Sequence, residues 1–200
     1  ELAVSDATLV SKGGYRWRQL NNYFNYGSSL SESRNLEFCS VVEVFDRHYL
    51  FLEDRRMVFN RARTRGIHVV TAGPLGYSAA MLVFAPDRGM GFDDYFDIRD
   101  EMTTEEKLLS FMIGLAPRAT HRQYVDPGRI DLENQRGPSL GAGCINCASA
   151  AAAEVVRILL GQKGIRPAPY YFQYDPYARR FQQGYLLFGN RHPLQQVKRR

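Results

Sequence analysis

The 200-residue chain has no glycine-rich phosphate loop: neither a GxGxxG nor a GxGGxG run occurs anywhere in it. Such glycines let backbone N–H groups approach a phosphate closely, so the sequence carries no nucleotide cradle of its own. The pair Gly13 and Gly14 does not qualify, because no strand precedes it and the third glycine is missing. Cysteine is scarce as well. Cys39, Cys144 and Cys147 form an odd set that argues against a secreted disulfide framework and predicts reduced thiols. No apolar run approaches the length of a bilayer span and no signal peptide opens the chain, so a cytoplasmic setting without a membrane partner is expected. The first residue is Glu1 rather than Met, which reads as a fragment of a longer product. Charge is not concentrated either: 26 Lys and Arg against 21 Asp and Glu leave +5. The one tight basic cluster, Lys198 to Arg200, is a terminal run of the kind that stays solvated, so nucleic acid is not an expected partner.

What is present describes one globular domain. The chain is 44% hydrophobic and 24% charged, enough apolar mass for a core. Residues 1–38 pattern poorly and read as an irregular segment with one short helix near Trp17 to Phe24. Residues 39–200 pattern well. Val41 to Phe45 forms a β-branched and aromatic run ending at Asp46, which predicts a buried strand. Tyr49 to Arg65 reads as an amphipathic helix stopped by Gly66, and Ile67 to Thr71 as a second strand that includes His68. Gly73, Pro74 and Gly76 then break the chain before a third strand, Ala79 to Phe84. Strand, helix and strand in about 30 residues make a βαβ unit with two parallel strands. Further on, Thr103 or Thr104 caps a helix carrying Leu108, Phe111, Met112 and Leu115. Ala148 to Leu160 is an alanine-rich helix, and Tyr170 to Tyr174 with Phe181 to Phe188 makes a hairpin about Asp175 and Pro176. The fold class is α/β, with an incomplete Rossmann-like sheet, flanking helices and a C-terminal β-hairpin.

Three segments in this order carry a resemblance. CSVVEVFD with RRMVFNRARTRGIHVVTAGPLGYSAAMLVFAP resembles the second half of the adenylation domain of the ThiF, MoeB and ubiquitin-activating-enzyme superfamily. PSLGAGCINCASAAAAEVVRILLG resembles its long helix, and PYYFQYDPYARRFQQGYLLFGNRHPLQQ the hairpin that follows. The resemblance spans about residues 39 to 195. It implies ATP and magnesium as cofactors and a carboxylate as substrate, either the C-terminus of a ubiquitin-like protein or a small molecule, with a homodimer as the working unit.

The same resemblance nominates site residues. Asp46 stands where the family places a magnesium- or nucleotide-contacting Asp, at a strand's carboxyl end, although its distance to Arg55 is longer than the family's. As a sequence feature alone it is equally a solvated strand end or a helix cap. Arg55 and Arg56 match the family's paired arginines and Asn60 its Asn. An Arg fork suits phosphate or an acidic partner, while on an amphipathic helix the same pair serves surface ion pairs. Gly73, Pro74 and Gly76 provide backbone geometry at the sheet edge, or one wall of a groove for the substrate's tail. Cys144 and Cys147 form a CxxC on the lead-in to the alanine-rich helix. Structural zinc needs four ligands, and no second pair follows the hairpin, where the sequence reads Arg191, His192, Pro193. Zinc is therefore not expected, and packing thiols are. Two readings remain: a fragment or degenerate member of an adenylating enzyme, or a non-catalytic remnant that keeps dimer and partner surfaces.

Overall fold

A computed structural model describes residues 41–44, 52–125 and 140–199, all within the unit Ser40–Arg200. Cys39, Phe45, Asp46, His48 and the helix expected near Trp17 lie outside the described residues. The elements run β1 (Val41–Val44), α1 (Leu52–Thr64), β2 (Val69–Leu75), β3 (Ser78–Phe84), α2 (Phe92–Phe96), α3 (Thr104–Leu115), a 3-10 turn (Thr120–Gln123), α4 (Gly141–Leu159), β4 (Tyr170–Asp175), β5 (Arg180–Tyr185), a second 3-10 turn (Gly189–Arg191) and α5 (Pro193–Lys198).

The five strands form one sheet in the order β1-β2-β3-β4-β5. β1 and β2 are parallel and joined through α1, as the βαβ reading requires. The remaining pairs are antiparallel, so the parallel pairing of the βαβ unit does not extend beyond β1 and β2. Direction changes three times because β2 to β3 and β4 to β5 are tight hairpins, which only antiparallel strands permit.

The two-residue period of β2, β3 and β4 divides their side chains between two cores. Val69, Leu75, Ala80, Leu82, Phe84 and Tyr171 face α1, α2 and α3, where Phe59, Phe92, Tyr95, Phe96 and Phe111 fill the space. Most rings here meet edge-on or tilted, as with Phe96 and Phe111 at 4.8 Å and Phe59 and Phe84 at 5.3 Å, while Phe92 and Phe111 stack at 6.0 Å. Val70, Ala72, Ala79, Met81 and Val83 face α4 through Cys147, Ala151, Val155 and Ile158. Helices thus cover both faces.

Several boundaries differ from the sequence reading for identifiable reasons. β2 does not stop before Gly73 and Pro74 but runs through both, and only Gly76 (φ 63°) and Tyr77 turn the chain. Pro74 has no β1 partner among the described residues, whose ladder with β2 reaches Ala72. His68 precedes β2 instead of lying in it. α2 was not anticipated: five residues are too few to show a helical period. α3 begins as expected, with Thr103 and Glu106 forming a reciprocal capping box.

α4 begins at Gly141, seven residues before the alanines that signalled it, so Cys144 and Cys147 lie within the helix. By length and composition alone it would cross a bilayer, a feature the composition reading missed. In the fold its inward stripe packs on the sheet. Gly143 explains the early start. A Cβ there would stand 2.3 Å from the Gly76 carbonyl oxygen, whereas one on Gly141 would meet nothing within 4 Å. Gly143→Ala should therefore lower stability by about 1–3 kcal/mol through overpacking. Gly141→Ala should be neutral or slightly stabilising. Urea midpoints of the two variants check the contrast.

Candidate functional site

β4 runs in the direction of β2, so the carboxyl ends of both strands lie at one end of the sheet, where open α/β sheets place ligands. Four elements converge there. The Gly76–Tyr77 turn is held by the start of α4, with Leu140 N donating to Gly76 O at 3.3 Å and Asn146 Nδ2 donating to Tyr77 O at 3.3 Å. Tyr77 stacks on Tyr177 with centroids 4.8 Å apart, and Tyr124 closes the group edge-on to both.

Beneath these rings Asp175 is fully buried. Its carboxylate accepts from the Tyr124 hydroxyl at 2.7 Å and from Ala178 N at 2.9 Å, which closes the hairpin turn. Burial and this carboxylate together push the Tyr124 pKa up, so the phenol stays protonated and donating. On the same face Gln173, also buried, donates from Nε2 to Ser78 Oγ at 2.9 Å and lies 3.3 Å from His121 Nδ1. Burial lowers the His121 pKa, opposed by Asp175, and leaves the ring neutral near pH 7. Gly73 and Ala80 stand abreast of Gln173 in the strand register, so the sheet carries little side-chain bulk beside it.

The arginines expected at the site are placed differently. Arg56 binds Asp93 through Nε at 2.9 Å and Nη2 at 3.2 Å, Asp100 through Nη2 at 2.8 Å and Glu53 through Nη1 at 2.9 Å. Four of its five N–H groups are engaged. Asn60 Nδ2 adds a bond to the same Asp93 at 3.0 Å, so two of the nominated residues meet on one carboxylate in the first turn of α2. Arg55 is buried, its guanidinium 5.3 Å from the Phe111 ring centre. Gly73 and Gly76 do stand at the convergent end, with Pro74 between them. Cys147 is fully buried and desolvation pushes its thiol pKa up, the state of a packing residue rather than a nucleophile. Among the described residues no group of three or more His, Cys, Asp and Glu could hold a metal.

A cavity of about 300 Å³ lies elsewhere, beside Asp97, Arg99, Glu106, Gln196 and Arg199. Arg199 Nη1 already binds Asp97 there at 2.6 Å, which ties the C-terminal helix to α2. None of the residues lining this groove belongs to the sheet end, where polar groups from three elements meet.

The ThiF family matches residues 30–193. The chain belongs to the ThiF family. The unit is thus a domain of an adenylating family, with the α/β class and C-terminal hairpin expected of it. Among solved structures it is similar to PaaA, at 15% identity over 81% of this chain and 45% of that one, with a TM-score of 0.41. It is also similar to E. coli MccB, at 10% identity over 79% and 39% with a TM-score of 0.44. A heterocyclase in complex with substrate and cofactor matches at 13% identity over 80% and 21%, with a TM-score of 0.42. The ThiF-family chain spans less than half the length of each of these. No curated protein matches it.

Tyr124 and Gln173 give no signal in the sequence, and His121 shows there only as one of four widely spaced histidines, because their partners at this end lie 51 to 52 positions away. Asp175 was visible only as a turn residue.

The Arg56 cluster generates a prediction about acid stability. A hydrogen bond from Lys107, with Arg56 beside it, holds Glu53 below its ordinary pKa, and Arg56 holds Asp100 low. A carboxylate whose folded pKa is depressed stabilises above its unfolded value, and loses that contribution as pH falls through the folded pKa. Wild-type stability should therefore decline from about pH 5 downward. Arg56→Met should flatten that decline and cost about 1.5–3 kcal/mol at neutral pH. Thermal melts of both proteins between pH 3 and 7 check this.

Proposed function

We propose that this ThiF-family chain forms the substrate-facing side of an adenylating site, one that receives a carboxylate at the carboxyl ends of β2 and β4. The observation that supports the reading is the convergence of a neutral, half-buried His121 with the buried Gln173 and Ser78 at that end of the sheet, within the segment the family matches. The substrate class is a carboxylate, the C-terminus of a ubiquitin-like protein or a small acid. ATP, with magnesium, would supply the leaving group that turns such a carboxylate into an acyl adenylate.

The described residues do not fit the phosphates of ATP. Of the two arginines nominated for them, Arg56 has four of its five N–H groups on three carboxylates and Arg55 is buried over the Phe111 ring, and the sequence contains no glycine-rich loop. Asp46 remains the nominated contact to magnesium, on the strength of the resemblance. A homodimer is part of the proposal: the outer edge of β5 has no strand partner among the described residues, and open edges favour pairing or cover.

The engagement of Arg56 by three carboxylates also favours the second reading, a partner-binding domain without ATP chemistry. Titration with N-acetyl-diglycine and with its C-terminal amide separates the two. The adenylating reading expects the acid to bind at least about tenfold more tightly, a difference of about 1.4 kcal/mol. Equal binding, or none, favours the partner-binding domain. ATP–pyrophosphate exchange by the 200-residue chain should be undetectable, and measurable exchange would overturn the account of its phosphate contacts.

A further inference from the structure

Gln173 is 1% exposed, yet its Oε1 is buried with no hydrogen-bond partner. Its amide nitrogen meets Ser78 Oγ and His121 Nδ1. Turning the amide over would place the oxygen on those two neighbours and leave two N–H donors buried without acceptors. An orphan carbonyl is the lesser cost, since buried N–H groups almost never lack partners. The donor count therefore fixes the orientation: nitrogen toward His121. Nδ1 must then accept, which makes the ring neutral and puts its proton on Nε2. His121 is only half-buried, and Nε2 is neither buried nor bonded among the described residues. Among the described residues the charged group that acts on the ring is Asp175 of β4, already bonded to Tyr124 and Ala178.

We infer that His121 is the residue that receives the substrate's carboxylate, its Nε2–H donating to one carboxylate oxygen, with Gln173 and Ser78 as positioning residues that set its tautomer. The inference rests on the carboxylate-activating reading above and names the group that carries it. A neutral donor suits the task. A carboxylate that must attack as a nucleophile needs orientation without losing electron density, and a full cation would draw density from it far more strongly. His121 keeps its proton throughout: it orients one oxygen and leaves the other to react.

Long-range proton–nitrogen spectra of the whole chain, labelled with nitrogen-15 in histidine, test the inference at pH 7. The expected His121 pattern is that of a neutral Nε2–H ring. N-acetyl-diglycine should shift its Nε2 signal saturably, and the C-terminal amide should not. A ring protonated on Nδ1 overturns the inference. So does a ring that stays silent while the acid binds, although the carboxylate reading then stands. An Nε2–H ring in a chain that binds neither probe overturns the carboxylate reading and the role of His121 with it. In Gln173→Glu a carboxylate replaces the donor, so the ring should invert to Nδ1–H and titrate at higher pH. An unchanged ring there would remove Gln173 from its positioning role. The wild-type tautomer is read without any variant, so the test holds even if that substitution prevents folding.

Discussion

The structure depends on the close approach of two backbones, those of Gly143 in α4 and Gly76 in the β2–β3 turn. With no side chain on Gly143, the start of α4 settles on the Gly76 carbonyl, and Leu140 N and Asn146 Nδ2 bind the turn from the same helix. Tyr77 and Ser78 follow directly, so their positions inherit that contact. Ser78 in turn anchors Gln173, and Gln173 meets His121. A shift of a few tenths of an ångström at Gly76 would be felt along this row, because close-packed interiors transmit displacement instead of absorbing it.

Two polar clusters in the same domain show opposite solutions to burying polar atoms. Around Arg56, charge is matched by charge: three carboxylates and an amide share one fork and one another's donors. Such a knot leaves one of the five Arg56 N–H groups unengaged. It fixes the angle between α1 and α2 and holds the aromatic core between them. At the sheet end the groups are mostly neutral, and one buried acceptor lacks a partner. Leaving a buried acceptor unpaired costs about 1–3 kcal/mol.

The fold was legible wherever a local period or a terminator expressed it. The β1-α1-β2 crossover, the Thr103 cap and the C-terminal hairpin all announce themselves within a few residues. The antiparallel majority of the sheet was not legible, because strand direction depends on how tightly the chain turns at Gly76 and Tyr77, and the cluster Gly73, Pro74, Gly76 reads as a break long before it reads as a strand followed by a turn. The early start of α4 was hidden for a related reason. Gly141 and Gly143 lower helix propensity, and only the packing against Gly76 accounts for the second of them. The site was legible as a location and not as a set of side chains. Of the residues nominated by the resemblance on α1, Arg56 and Asn60 belong to the Arg56 knot and Arg55 lies over the Phe111 ring, while His121 and Tyr124 meet partners half a hundred positions distant.

The orientation of one amide thus decides what the sheet end can do. Ser78 can donate or accept, so it does not discriminate between the two orientations of Gln173. His121 can present either nitrogen, so it does not either. The choice falls to the buried side of the amide, where one orphan acceptor is less costly than two orphan donors. That asymmetry runs outward: it fixes Nδ1 as an acceptor, excludes the imidazolium and leaves a single N–H on the accessible side of the ring. A buried glutamine that packs against Ala80 thereby sets the hydrogen-bonding character of a residue on a different element, through a preference that involves no charge and no metal.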